Sequence, residues 1–329
     1  MAKTTATPKK ASPKKKPVSK KTPPQPSQAG ETISANGHEV KLTNQQKVYW
    51  PKEGITKGQV LNYYNQISKF ILPYLKDRPQ SLKRNPNGIS DKGFYHKDAG
   101  DAAPEWVDQI ELYSESADKE INYIICNKKA TLLYLNNLGC IELNPWNSRV
   151  KDLDKPDYLV MDIDPSDTST FDEVIETALV IKDILDKARA ASFCKTSGAT
   201  GLHVYVPLGA AYDYDQARAF AELIATLAQA QLPQTTTLER SLNKRLGRIY
   251  IDFLQNKRGQ TLSSVYSIRP VPGASVSTPL EWREVKPGLH PSQFNIHNIE
   301  KRLSKVGDLF NGVLKKKLSL EKASKLLGT

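Results

Sequence analysis

The run Asp157-Tyr-Leu-Val-Met-Asp162-Ile-Asp164-Pro165 restricts the fold most tightly, because it sets two carboxylates at the end of an apolar strand. Side chains at i and i+2 of a strand share a face, with Cα atoms roughly 6.5 to 7 Å apart, so Asp162 and Asp164 project side by side. Two carboxylates placed in this way repel one another unless a cation sits between them. Mg²⁺ or Mn²⁺, hard ions that prefer oxygen ligands, suit such a pair. The plainer alternative is a strand ended by an Asp-Pro turn, with Asp162 at the surface. A second run, Arg248-Ile-Tyr-Ile-Asp252-Phe, has the same form. If Asp252 lies on a neighbouring strand, three carboxylates could hold two metals about 3.5 to 4 Å apart, as in-line phosphoryl transfer requires.

Helical periodicity surrounds these strands. Thr56 with Gln59 reads as a capping box, and Val60, Leu61, Tyr64, Ile67, Phe70 and Ile71 recur at three and four residues until Pro73, which predicts a helix over about 57 to 72. Thr170 with Glu173 repeats the signal before Val174, Ala178, Ile181 and Leu185, and a third amphipathic stretch runs from Asp215 through Leu227. Further strands are expected at Leu132 to Leu135, Ile141 to Leu143, Tyr158 to Asp164, Leu202 to Val206, Ile249 to Phe253 and Val265 to Ile268. Strands and helices interleave irregularly, so a mixed α/β or α+β architecture is expected rather than a barrel or a bundle.

The net charge of +12 is not evenly spread. Residues 1 to 30 hold eight lysines, six prolines and no acid, which leaves +4 for the remainder. Such a stretch cannot bury enough apolar area to offset ordering entropy, so residues 1–36 read as a disordered basic tail and 37–329 as the folded domain. A polycation of this kind gains affinity for nucleic acid by counterion release, without choosing a sequence; a tail that only aids solubility is the alternative. Neither an apolar h-region nor a membrane-length apolar stretch occurs, and the mean hydropathy is −0.51. A cytoplasmic protein is therefore expected. Cys126, Cys140 and Cys194 lack C-x-x-C spacing, which argues against a disulfide framework and a Cys-rich zinc site.

Between the acidic strands lies Lys195-Thr-Ser197-Gly198-Ala-Thr-Gly201-Leu-His203. Its glycines permit a tight turn that presents N–H groups, and Lys195, Ser197 and His203 can add donors, which makes a plausible cradle for phosphates. Each feature alone is commonplace. The succession Asp162-x-Asp164, Ser197-Gly-x-x-Gly-x-His203, Asp252 and Tyr266-Ser-Ile-Arg269-Pro resembles the archaeo-eukaryotic primase superfamily, and more closely the polymerase domain of bacterial ATP-dependent DNA ligase D. The resemblance runs from about Leu42 to the C-terminus through Leu42-Thr-Asn-Gln-Gln-Lys-Val, Thr56-Lys-Gly, Ser81-Leu-Lys-Arg, Phe94-Tyr-His-Lys, Gly139-Cys-Ile-Glu-Leu-Asn-Pro-Trp and Thr278-Pro-Leu-Glu-Trp.

The resemblance implies an α+β, primase-like fold, with an RRM-like catalytic sheet packed against a smaller N-terminal α/β module. It implies that Asp162, Asp164 and Asp252 are catalytic and bind two divalent ions, Mn²⁺ or Mg²⁺. Lys83, Ser197, His203 and Arg269 would contact the incoming nucleotide, where charge-assisted bonds to a polyanion are the strong ones. Asn44, Lys47 and Lys57 would bind the 5′-phosphate of the downstream strand. In agreement, Lys57 falls in the first turn of a predicted helix, where free N–H groups and the dipole attract an anion. Phe94 and Tyr95 would stack on template bases. Some relatives carry His at the position of Asn144, so no nucleotide contact is carried over there.

The activity so implied is templated extension of a primer 3′-OH, mainly with ribonucleotides although dNTPs also serve, at gaps or broken ends bearing a 5′-phosphate. The implied setting is non-homologous end joining in the bacterial cytoplasm, at the nucleoid, with Ku and a separate ATP-dependent DNA ligase as partners and no membrane. The ligase and phosphoesterase modules of ligase D do not occur in this sequence. Two competing readings use the same residues: a two-metal nuclease, which has no need of the Ser197 to His203 cradle, and a non-catalytic DNA-end binding module, which leaves three aspartates facing phosphate without purpose.

Overall fold

A computed structural model describes residues 1–2, 31–100, 103–114 and 118–328. Most of the basic tail lies outside the described residues, and with it the expectation that the tail is disordered. The expected boundary at 36 moves, however, because Thr32–Ala35 is already a strand paired with His38–Lys41. Ala35, Val40 and Leu42 bury against Ala130 and Leu133, an apolar anchor that the charge count of the preceding residues conceals.

Two sheets carry the architecture. The first is three-stranded, with β1 (Gln80–Arg84) between β2 (Phe94–His96) and β3 (Cys140–Pro145), all antiparallel. The second comprises β4 (Tyr158–Asp164), β5 (Phe193–Thr196), β6 (Leu202–Pro207), β7 (Thr236–Thr237), β8 (Ile249–Asp252) and β9 (Pro279–Leu280), in the order β7-β8-β4-β6-β5-β9. Only the β7–β8 pair is parallel.

The larger sheet alternates with period two. Leu159, Met161 and Ile163 of β4, Leu202, Val204 and Val206 of β6, and Ile249 and Ile251 of β8 pack into one apolar core with helices α3 (Phe171–Lys187) and α4 (Tyr214–Gln231). Tyr158, Val160 and Tyr205 enter the other core, shared with the N-terminal module and its helices α1 (Lys57–Leu75) and α2 (Lys129–Asn137). Asp162, Asp164, His203, Tyr250 and Asp252 continue that second face beyond the apolar rows. The sheet is thus sealed by helices behind and by the N-terminal module in front, except where the polar residues open a cleft.

The helix start signals of the sequence hold, whereas Pro73, expected to stop the first helix at about 72, lies inside α1, which runs on to Leu75. Thr56 with Gln59 and Thr170 with Glu173 form the expected capping boxes, and the third helix starts after Asp213, which caps it with Gln216. Two expected strands do not form. Leu132 to Leu135 lies inside α2, where Leu132, Leu133 and Leu135 are all buried; a short apolar run has no period by which a buried helix and a strand can be told apart. Val265 to Ile268 is a turn with a single bridge from Ile268 to Val276, and Tyr266 takes a φ of 64° that a strand cannot accommodate. No helix of the described residues is long and apolar enough to cross a membrane.

Candidate active site

Register assembles the acidic cluster. Asp162 of β4 lies directly opposite Asp252 of β8 on one side and His203 of β6 on the other, while Asp164 lies opposite Tyr250. Directly paired residues in adjacent strands point to the same face, so the adjacency that sequence could not supply is set by backbone pairing. Each carboxylate has its own partner. Asp162 Oδ1 is 3.3 Å from His203 Nε2, and Asp164 Oδ2 accepts from Arg245 Nη1 at 2.8 Å. Asp252 accepts from the Leu254 N–H at 2.8 Å, Gln255 Nε2 at 2.9 Å and the Tyr250 hydroxyl at 3.1 Å.

The electrostatics record this crowding. Burial raises the pKa of Asp164, and the negative charge of Asp162 adds to the rise although Arg245 opposes it. Asp252 is raised by burial and then by Asp162. Asp162 itself stays low, because His203, Lys195 and Arg269 outweigh the effect of its burial. Burial first, then the charge of Lys195, pushes His203 down to about 4, so its ring is neutral.

The glycine turn folds beside the cluster. Ser197 Oγ accepts the Gly201 N–H at 3.0 Å and the Ala199 N–H at 3.1 Å, which leaves its own proton for an acceptor in the cleft. Two amides expected to face a phosphate are therefore turned onto Ser197 instead. A Cβ at Gly201 would lie 2.1 Å from the Ile163 carbonyl oxygen, so only glycine lets the turn approach the acidic strand. Arg269 donates through Nη1 to the Ser197 carbonyl at 2.6 Å and through Nε to Glu142 Oε2 at 2.9 Å. It thereby ties the turn to β3 of the N-terminal module and retains further guanidinium N–H groups.

Lys195 departs from its expected place. It is fully buried, with Nζ bonded to His203 Nδ1, Ser277 Oγ and the Ser263 carbonyl, so it cannot reach a phosphate. Lys83, Tyr95 and Glu142 share one row across β2, β1 and β3, and Lys83 Nζ sits 4.7 Å from the Tyr95 ring centre. Phe94 and Tyr95 are both exposed, at 48% and 60%, but as neighbours in a strand they take opposite faces. Tyr95 lines the cleft, whereas Phe94 pairs with Arg84 on the other side, so they do not form one stacking surface.

Asn44, Lys47 and Lys57 come together at the start of α1. The Lys47 N–H donates to the Asn44 carbonyl at 2.9 Å and the Lys57 N–H to the Lys47 carbonyl at 2.8 Å. Lys57 Nζ binds the Thr43 carbonyl at 2.7 Å, and its pKa is lowered to about 8 by burial and then by Lys47. The first-turn amides of Lys57, Gly58 and Gln59 are all taken, by Lys47, Gln45 and Thr56, so attraction for an anion here rests on the lysines and not on open helix amides.

Four residues of the cleft were given no role in the sequence reading. Arg245 holds Asp164 from a loop 81 positions along the chain, and Glu142 holds Arg269. Asn144 Nδ2 and Ser263 Oγ both belong to cleft-lining residues and are buried without a hydrogen-bond partner in the protein. The signal for Glu142 and Asn144 was their i, i+2 spacing in a strand; Arg245 and Ser263 had none.

β4 and its two antiparallel neighbours, with the acids, a glycine turn and a basic clamp gathered at one sheet face, are the arrangement of a primase-polymerase domain. The family model of the LigD primase-polymerase domain matches residues 56–310. The chain is 31% identical over 269 residues to the bifunctional non-homologous end joining protein LigD of Bacillus subtilis, covering 82% of this chain and 43% of that protein. It is 29% identical over 273 residues to the multifunctional non-homologous end joining protein LigD of Mycolicibacterium smegmatis, covering 82% and 35% respectively. Among solved structures, the polymerase domain from Mycobacterium tuberculosis ligase D in complex with DNA matches with a TM-score of 0.79 at 26% identity, over 84% of this chain and 99% of that one. The chain belongs to the LigD primase-polymerase domain family. It spans less than half the length of these two curated relatives.

Proposed function

We propose that this chain is a template-directed nucleotidyltransferase that extends a primer 3′-OH, preferring ribonucleotides, at gaps or broken ends with a 5′-phosphate. One observation carries the reading: Asp162, Asp164 and Asp252 share a sheet face immediately beside the Ser197–Arg269 clamp. A nuclease would use the acids but would gain nothing from a clamp suited to a triphosphate, and a binding module would gain nothing from acids facing phosphate.

The donor set fits divalent metal. It is all carboxylate oxygen, which selects Mg²⁺ or Mn²⁺ over softer ions, and burial first, then the charge of Asp162, raises the pKa values of Asp164 and Asp252, so a cation among the three would favour their ionised forms. Among the described residues no three His, Cys, Asp or Glu side chains are gathered closely enough to hold a metal ion; each aspartate is held by its own partner, so the three would have to turn together to bind one. Asp162, Asp164 and Asp252 would hold two ions, whose chemistry is to acidify the 3′-OH and to stabilise charge on the leaving pyrophosphate.

The chain's own residues do the rest. Ser197 and His203 donate to triphosphate oxygens, and Arg269, held by Glu142, offers its remaining N–H groups to the same anion. Asn144 and Ser263 hold polar atoms without partners where a sugar hydroxyl would satisfy them, which favours ribose over deoxyribose. Tyr95 offers a π-face to a base, and Lys83 backs it. Asn44, Lys47 and Lys57 take the 5′-phosphate. The names of the relatives point to non-homologous end joining as the setting in which such an extension serves, and Ku and a separate ligase would be its partners there.

The test is extension of a labelled primer on a short 5′-phosphorylated gap with Mn²⁺, comparing NTPs with dNTPs and including Asp162→Ala. Templated addition that favours NTPs and vanishes in the variant is expected. Primer shortening would replace this reading with a nuclease, and binding without addition would replace it with a binding module.

A further inference from the structure

We propose that the eight lysines of residues 1–30 bind the DNA duplex downstream of the gap; this rests on the reading that Asn44, Lys47 and Lys57 take the 5′-phosphate. The root of the segment carries the argument. Thr32 pairs with Lys41, and one step further the Leu42 N–H donates to the Glu31 carbonyl at 2.7 Å. Traced backwards from Thr32 to Glu31, the antiparallel pairing leads from Lys41 towards Thr43 and Asn44. Gln45 Nε2 then donates to Glu31 Oε2 at 2.9 Å. Gln45 is the neighbour of Asn44, and its carbonyl accepts the Gly58 N–H at 2.8 Å in the first turn of α1. Asn137 at the end of α2 fixes this corner, accepting the Thr43 N–H at 2.9 Å and donating to the Lys41 carbonyl at 3.0 Å. The segment that ends at residue 30 is therefore rooted, through Glu31, at the phosphate patch.

Charge points to the same partner. Residues 1–30 hold eight lysines and no acid, so most of the net charge of +12 precedes the fold. Duplex DNA carries one negative charge per about 1.7 Å of its axis. A 5′-phosphate seated on Lys47 and Lys57 marks the first nucleotide of the downstream strand, so the downstream duplex begins where the segment is rooted. The upstream duplex ends across the gap, with its 3′-OH at the acidic cluster. Lys21, the nearest of the eight, precedes Glu31 by ten residues, a span of at most about 35 Å. About ten base pairs occupy that length. Each lysine that meets a phosphate there releases a counterion without reading sequence, and the gain grows with the length of the downstream arm.

The test is equilibrium binding, at several salt concentrations, of the full chain and of a full chain with Lys→Gln at all eight positions. The probes are short gaps in duplex DNA with a downstream arm of about 6 or about 20 base pairs, each with a 5′-phosphate or a 5′-hydroxyl, and a matched set in which the upstream arm is lengthened instead. The wild-type chain should bind the long downstream arm at least about tenfold more tightly than the short one and with a steeper salt dependence, and the variant should lose both gains. Equal gains in the two proteins overturn the proposal and leave a segment that serves solubility alone. A lysine-dependent gain as large on the lengthened upstream arm overturns it too, as general attraction to DNA. On the short downstream arm the preference for a 5′-phosphate should be the same in both proteins. Its absence from both overturns the reading of Asn44, Lys47 and Lys57, whereas the length arms decide the placement of the lysines, so the two failures are told apart without any turnover.

Discussion

Asp162 and Asp252 stand directly opposite one another in the antiparallel pairing of β4 and β8, 90 positions apart in sequence yet on one face of one sheet. A one-residue slip of that pairing would send Asp252 to the helix-covered core and Ile251 to the cleft. The same register that packs Ile249 and Ile251 against α3 and α4 therefore also assembles the acidic site. Stability and chemistry are specified by the same backbone hydrogen bonds.

Lys57 gives the 5′-phosphate patch a defined pH range. Its pKa is lowered to about 8, so its ammonium is present below that value and is lost as pH rises through it. The preference for a 5′-phosphate over a 5′-hydroxyl gap should be full below pH 8 and decline above it. Gap-binding titrations across that range measure this, and Lys57→Met should flatten the profile.

Asn144 should set sugar choice with little effect on folding, because its Nδ2 has no partner to lose. In Asn144→Leu the ratio of NTP to dNTP efficiency should fall about tenfold, the scale of one lost hydrogen bond to a substrate hydroxyl. Steady-state extension with paired NTP and dNTP substrates reads the ratio, and a thermal melt checks the fold.

Gly201→Ala should damage both the fold and the site. Its Cβ would lie 2.1 Å from the Ile163 carbonyl oxygen in the acidic strand, so the turn must move. A loss of about 1 to 3 kcal/mol is expected from such overpacking, with Ser197 displaced from Arg269. Denaturant unfolding measures the first effect and the KM for nucleotide the second.

Much of this was legible in the sequence, and the failures share a physical origin. Capping boxes at Thr56 and Thr170 are local, and they form as read. The alternation in β4 is local as well, so Asp162 and Asp164 were found on one face. Leu132 to Leu135 failed because four apolar residues carry no period. Lys195 was misplaced because its burial depends on Ser263 and Ser277, more than sixty positions away. Arg245 was missed because nothing near it announces that its loop will fold over Asp164. Phe94 and Tyr95 were read as a unit, although strand geometry alone puts neighbours on opposite faces.

The most direct measurement is a titration of Mn²⁺ into the chain in the presence of a ribonucleoside triphosphate, followed by electron paramagnetic resonance, for the wild type and for Asp162→Asn and Asp252→Asn. Two bound ions per wild-type chain and the loss of at least one in each variant are predicted from three carboxylates gathered on one sheet face. Equal Mn²⁺ binding by all three proteins would contradict the acidic cluster as the metal centre and leave nucleotidyl transfer there without its chemistry.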